Sequence, residues 1–323
     1  MKTLSKKGPR HSPRPRVPAS PHQKSEISQD PHSGYVCIAG RPNSGKSTLL
    51  NLLIGQKVSI VSHQPQTTRN RILGILTEPR GQVVFVDTPG IHRPYYRMNR
   101  RMARLIEESL RQADLLLHLI DASISFGAGE KKAMEMVNAI GQKTFLVLNK
   151  IDLVDKPTLL PQIDFYRKNG SYSEIIPLSA RTGQNADDLL AEVFRYLPEQ
   201  TPMFGADQVT DQPEKFIVSE LIREKVLQRV RQEVPHATAV QIDRFDESDR
   251  QRGRVRIAAT IVAEKPNQKK IIIGKGGEGI KQIGTRARLE IETLLGCRVY
   301  LELFVKVIEE WRNKESFLDS IGI

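Results

Sequence analysis

The segment Gly40-Arg41-Pro42-Asn43-Ser44-Gly45-Lys46-Ser47 fits the pattern GxxxxGK[ST]. It lies between an apolar run, YVCIAG, and a helical stretch over 46–54. No other feature constrains the fold as much. A strand that ends in a glycine-rich loop and opens a helix presents backbone N–H groups, and the positive end of the helix, to an anion. Gly40, Asn43, Ser44, Gly45, Lys46, Ser47 and Thr48 are therefore the expected phosphate-binding residues. Lys46 would reach the β- and γ-phosphates, and the Ser47 hydroxyl would hold Mg²⁺.

The surroundings suit such a loop. Short apolar runs, YVCIAG, QVVFVD, DLLLHLID, TFLVLN and EIIPLS, alternate with helical stretches near 46–54, 98–111, 128–141, 157–168 and 185–197. That alternation predicts a mostly parallel sheet covered on both faces. RILGILT and QVVFVD are joined only by Glu78-Pro79-Arg80-Gly81, too short for a crossover, so one strand should run antiparallel. The alternation stops at Leu197-Pro198. Residues 199–213 read as a polar linker, and 34–198 as the nucleotide domain. Over 214–323 the pattern changes to a helix near 215–233, strands VQIDRF and RVRIAATIVAE, KKIIIGKGGEGIKQIG, a helix to about 296, and a last strand CRVYLELFVKV. With KKIIIG as a short helix the order is α-β-β-α-α-β. Residues 1–33 hold six prolines, have no apolar periodicity and carry a charge of +5. They read as a disordered basic tail.

Two further motifs choose the nucleotide. Asp87-Thr88-Pro89-Gly90 ends a strand, where the carboxylate can meet Mg²⁺ through water and the Gly90 N–H can approach the γ-phosphate. Alone it is also good turn chemistry. Asn149-Lys150-Ile151-Asp152 ends another strand. An ionised Asp152 only accepts hydrogen bonds, so it matches the adjacent N1–H and N2–H₂ donors of guanine, a donor edge that adenine does not offer. Ser179-Ala180 follows the next strand, where a backbone N–H can reach the guanine O6. GTP and GDP are the expected ligands.

In this order GRPNSGKS, Gln66-Thr67-Thr68-Arg69, DTPG, NKID and SARTG resemble the translation-factor-related GTPases. The resemblance implies GTP hydrolysis, with Lys46, Thr68 and Gly90 as catalytic residues. It also implies a switch I threonine capping Mg²⁺ beside Ser47 and Asp87: Thr68, with Thr67 as the alternative. Ile91 stands where Ras-like enzymes place a water-orienting glutamine, so slow intrinsic turnover is expected. Asn43 matches the asparagine that binds K⁺ in relatives lacking that glutamine.

Gly274-Lys275-Gly276-Gly277, preceded by Ile273 and followed by Lys281, forms a GxxG loop between two helical segments. Its glycines allow close approach of a nucleic-acid backbone, with Lys275 and the loop amides at phosphate. Within α-β-β-α-α-β it resembles a type II KH domain. Residues 265–288 hold seven basic residues and one acidic, Glu278. With IREKVLQRV, RFDESDR and LELFVKV in order, residues 35–323 resemble the Era family of ribosome-assembly GTPases. That implies binding of the 3′ end of small-subunit (16S) rRNA, coupled to the GTP state and acting in small-subunit assembly. Ile273 to Gly277 and Lys281 would line the RNA groove. The tail has no counterpart in the resemblance.

Composition closes off other classes. The net charge of +12 points to a polyanion, but 34–198 carries +6 of it and 199–323 only +1. No run of about 18 apolar residues occurs, so no transmembrane helix is expected. The charge leaves peripheral association with an anionic membrane open, although no amphipathic or lipidation signal accompanies it. Cys37 and Cys297 are far apart among apolar neighbours, as expected of core thiols in a reducing cytoplasm, and a monomer is the expected state. His63, His92 and His118 have no ligand spacing. Arg93, Arg97, Arg100, Arg101 and Arg104 follow DTPG, where they suit RNA, the second domain or a solvated helix face. Trp311 reads as packing.

Overall fold

Leucine- and valine-rich runs without a polar break make strands that are buried on both faces, and the first half folds from them. In the computed structural model, residues 30–91 and 95–323 are described. The expectations for residues 1–29, His92 and Arg93 lie outside the described residues. β1 (His32–Ala39) begins inside the expected tail, because His32 and Ser33 pair with Gly81 and Gln82, and it leads through the glycine-rich loop into α1 (Lys46–Ile54). There follow β2 (Ile72–Glu78), β3 (Gly81–Asp87), α2 (Arg97–Gln112), β4 (Leu115–Asp121) and α3 (Ala128–Ile140). β5 (Thr144–Asn149), α4 (Lys156–Asn169), β6 (Glu174–Pro177) and α5 (Ala186–Tyr196) complete the first half.

The sheet order is β2-β3-β1-β4-β5-β6, and β2 alone runs antiparallel to its neighbour. Successive side chains of β1 serve opposite faces, as the pleat dictates. Val36 and Ile38 pack with Leu50 of α1 and Leu189 of α5. Cys37 and Ala39 pack with Ile106 of α2 and Val137 of α3. From β1 the sheet grows one way to β3 and the other way to β4, so a crevice opens at their carboxyl ends, where ligands bind in such folds. The chain between α5 and the second half is not free of the sheet. Ile75 N donates to Val209 O at 2.9 Å, and the Gln82 side chain meets the backbone of Met203 and Phe204. Residues 199–213 thereby cover the exposed edge of β2.

The second half builds α6 (Glu214–Arg229), β7 (Thr238–Asp246), β8 (Arg254–Ala263), α7 (Pro266–Ile273), α8 (Glu278–Leu295) and β9 (Arg298–Val307). Its sheet is β7-β8-β9, antiparallel then parallel, with α6, α7 and α8 on one face. α6 stops at Arg229, short of the expected 233, because the chain turns to bury Val230 and Val234 in this core. Cys37 is fully buried, and burial pushes its thiol well above the ordinary range.

Sequence patterning did not reveal a C-terminal cap, α9 (Glu315–Ser320), which follows Trp311. Trp311 is fully buried with Met98, Met102, Val262 and Leu318, and its Nε1 donates to Ala237 O at 3.0 Å. Arg97 and Arg101 of α2 pair with Glu315, and Arg101 also with Asp319. These two arginines therefore bind the second half, whereas Arg100 and Arg104 stay exposed. Trp311→Ala should destabilise the protein by about 3–5 kcal/mol through the cavity it leaves. Arg100→Ala should stay within about 0.5 kcal/mol. Urea denaturation of both variants checks the contrast.

Candidate nucleotide and nucleic-acid sites

The phosphate loop is held open by a glycine that nothing else could replace. Gly45 has φ +102°, and a Cβ there would lie 2.2 Å from Asn149 Nδ2. Lys46 is 6% exposed. Its Nζ donates to Gly40 O at 3.2 Å and Arg41 O at 2.9 Å, so the ammonium arches back over its own loop. Burial pushes this amine down to about 8, against the opposing pull of Asp87.

Asp87, at the end of β3, collects the hydroxyls. Its Oδ2 accepts from Ser47 at 2.7 Å, Ser59 at 3.0 Å and Thr68 at 3.3 Å, and Ser47 and Thr68 lie 2.8 Å apart. Burial pushes the carboxyl up, with Lys46 and the three hydroxyls opposing. Asp87 Oδ1 is buried with no hydrogen-bond partner, and a carboxylate oxygen of that kind suits a hard divalent cation. Of the two threonines, Thr68 is in this group, whereas the Thr67 hydroxyl is spent on Gln64 O at 2.6 Å. Gly90 and Thr48 line the same pocket. Ile91 is buried, and its N–H donates to Gly40 O at 3.1 Å. Asn43, at φ +65°, donates its amide to His63 O at 2.9 Å, which ties the loop to the segment carrying Thr68.

On the base side, Asn149 joins three loops. Its Nδ2 donates to Ser44 O at 2.7 Å, and its Oδ1 accepts Ala180 N at 2.9 Å. Asp152 Oδ1 accepts from Ser179 Oγ at 2.6 Å, and the carboxylate also pairs with the exposed Arg181. Lys150, left-handed at φ +66°, is anchored by Asp121 at 2.5 Å. Sequence reading overlooked Asp121, Arg181 and Ser59. Asp121 ends its strand as Asp87 does, which is the one signal that could have marked it.

In the second half, Gly274–Gly277 joins α7 to α8. Gly276 and Gly277 have left-handed φ angles and open space where a Cβ would lie. Lys275 is exposed and Ile273 half-buried. The loop leads into a groove between α8 and β9, lined by Ile280, Lys281, Gly284, Thr285, Arg288, Leu301 and Leu303. Gly284 is its floor, because a Cβ there would touch Leu303 at 3.4 Å. Thr285 and Arg288 follow Lys281 at helical spacing and were within reach of sequence reading. Leu301 and Leu303 were not, since only folding sets β9 beside α8.

Comparison with known proteins adds the following. The family of 50S ribosome-binding GTPases matches residues 35–150, and the KH domain family matches 233–312. The GTPase Era of Staphylococcus haemolyticus is 45% identical over 290 residues, covering 90% of this chain and 96% of the relative. The Staphylococcus epidermidis GTPase Era matches to the same extent. A crystal structure of Era with MgGDPNP and nucleotides 1506–1542 of 16S ribosomal RNA superposes with a TM-score of 0.87 at 39% identity. It covers 90% of this chain and 99% of the other.

Lys46 supplies a test of the phosphate pocket. With the folded amine at about 8 and an unfolded value near 10.5, the unfolded chain holds more protons between those limits. The buried charge therefore costs stability, on the order of 3 kcal/mol, below pH 8, and the cost is relieved as pH rises to 10.5. Nucleotide-free Lys46→Met should be more stable than wild type at pH 7, with a smaller gain at pH 10, while losing nucleotide affinity by about 10²-fold or more. Wild-type affinity should weaken towards tenfold per pH unit above about 8, because the phosphates need the ammonium. Thermal melting and titration with a fluorescent guanine nucleotide read both effects.

Proposed function

The chain belongs to the Era family of GTPases, and from that premise we propose that it carries the 3′ end of 16S rRNA in its α8–β9 groove during small-subunit assembly, with the nucleotide state gating the RNA. One observation carries this reading. A solved Era that matches 90% of the chain holds both a GTP analogue with Mg and 16S nucleotides 1506–1542, and this chain has a pocket for each.

The chemistry follows from the residues. The loop amides from Gly40 to Thr48 and the Lys46 ammonium hold the β- and γ-phosphates. Ser47, Thr68 and Asp87 would hold Mg²⁺, and the ion would supply positive charge beside the phosphates. Gly90 offers its N–H to the γ-phosphate. Asp152 takes the guanine donor edge, Ser179 fixes that carboxylate, and Ala180 faces the guanine O6, while Asn149 and Lys150 hold the loops in register. Ile91 cannot orient water, so a charge has to come from elsewhere. A K⁺ ion at Asn43 would supply it. In the groove, Gly274, Gly276 and Gly277 admit the RNA backbone, Lys275 and Lys281 meet phosphate, and Ile273 backs the loop. A groove of this type holds about four nucleotides of single strand. The domains behind these roles are 34–198 and 214–323, joined by 199–213. The surplus of positive charge on the nucleotide half supports a second contact with the polyanion. The cytoplasm is the compartment that suits this work, with the protein as a monomer, and attachment to an anionic membrane surface is the use of the same charge that vesicle sedimentation would expose.

The buried Ile91 favours one rival reading, an RNA-binding scaffold that uses GTP only to order itself. Single-turnover hydrolysis with and without a 16S 3′-end oligonucleotide separates the two. RNA should accelerate phosphate release, and undetectable release in both cases would favour the scaffold. KCl should exceed NaCl in the same assay, and Asn43→Ala should erase the difference. Gly276→Asp should weaken the oligonucleotide by about tenfold or more while leaving GTP affinity unchanged.

A further inference from the structure

The two halves of the molecule meet at the segment that carries Thr68. Arg69, the next residue, is 3% exposed. Its Nη1 donates to Thr238 O at 2.7 Å, and its Nη2 to Pro235 O at 3.3 Å and His236 O at 3.4 Å. Its guanidinium lies 5.5 Å from the centre of the Trp311 ring. All four partners belong to the second half. A neighbouring contact runs the other way, since buried Arg223 of α6 donates to Thr67 O. Further along the segment, Val61 N donates to Glu224 Oε1 at 3.0 Å, and Lys57 bridges Glu224 at 2.7 Å and Glu290 at 2.8 Å. Residues 57–69 are thus seated on α6 and on the lead into β7. α6 in turn packs on α8, the helix of the RNA groove, through one shared core.

The seat is finely balanced. The Arg69 guanidinium is buried against neutral carbonyls and its Nε has no partner, while the neighbouring Arg223 is itself paired with Glu220, whose carboxylate offsets part of the repulsion. A buried charge held this way stays only while every acceptor remains converged. Arg69 adjoins Thr68 in the chain, so a shift of Thr68 away from Ser47 and Asp87 would draw Arg69 off those carbonyls.

We infer that Arg69 is the positioning residue that links the RNA groove to the nucleotide site: its seat between β7 and Trp311 forms together with the approach of Thr68 to Ser47 and Asp87, so each half biases the other through it. The inference rests on the reading that nucleotide and RNA binding are linked. Linkage is reciprocal, so one ratio reports it.

The experiment measures the affinity of the full chain for a 16S 3′-end oligonucleotide with GDP and with a non-hydrolysable GTP analogue. Variants are wild type, Arg69→Met and Lys57→Ala. Methionine fills a similar volume without the charge, a change that buried ion sites generally tolerate. Lys57 is exposed and the buried Glu224 that it meets keeps Lys225 and the Val61 N–H as partners, so losing Lys57 should matter little. Wild type and Lys57→Ala should show a several-fold ratio between nucleotide states. Arg69→Met should bring it within about twofold of one, with the affinity for each ligand alone changed less than about threefold. RNA stimulation of single-turnover hydrolysis should be lost in Arg69→Met alone. A wild-type ratio of one overturns the linkage reading and the inference with it. A wild-type ratio well above one that Arg69→Met preserves overturns the assignment of Arg69 while the linkage stands. Equal loss in Lys57→Ala overturns it in favour of the interface as a whole.

Discussion

The buried carboxylate of Asp87 is the contact on which the rest of the molecule turns. One oxygen draws in a hydroxyl from the phosphate loop, Ser47, and two from the segment after α1, Ser59 and Thr68. Thr68 is held there, and Arg69 beside it faces the second half and not solvent. Because β3 pairs with β1 in parallel register, Ile38 against Asp87, the carboxylate sits level with the end of the strand that feeds the loop. Sheet register, nucleotide pocket and interdomain seat are therefore one construction.

That construction holds charge where water cannot reach it. Lys46 and Asp87 are pushed towards their neutral forms, mainly by burial, and Arg69 is worked against by burial and by Arg223. Sites that bind charged ligands accept such local losses, and the surrounding apolar cores offset them. The distribution of acids is consistent with this division. In the second half, Glu224 and Glu290 face Lys57 and Lys225, and Glu264 faces Arg312. Several acids of this half are engaged in internal or interface pairs, Glu292 with Arg288 at 3.8 Å among them, while Lys275 and Lys281 stay exposed at the loop and groove. A formal charge of +1 over 199–323 hid a basic groove.

Much of the nucleotide pocket was legible because its parts are local. Gly45, Lys46 and Ser47 are consecutive, and DTPG and NKID each end an apolar run, so strand geometry delivers them to one edge of the sheet. The antiparallel β2 was equally legible, from a connection too short to cross. The choice between Thr67 and Thr68 was not, since it depends on which hydroxyl faces Asp87 after the chain has turned back from α1. The C-terminal cap was missed because α9 is short and finds its apolar partners, Met98 and Met102, more than 200 residues earlier in the sequence.

Sequence alone determined the chemistry: a guanine nucleotide, a phosphate loop, a GxxG turn and the order of elements that places them. These follow from short-range rules, the preference of glycine for left-handed backbone and the fixed hydrogen-bonding patterns of carboxylates and amides. Tertiary structure decided how the two halves address each other. Arg69 pairs with no carboxylate that a charge pattern could reveal. It is seated on backbone carbonyls 166 to 169 residues away, and every residue has such a carbonyl, so only the folded chain selects which ones it meets.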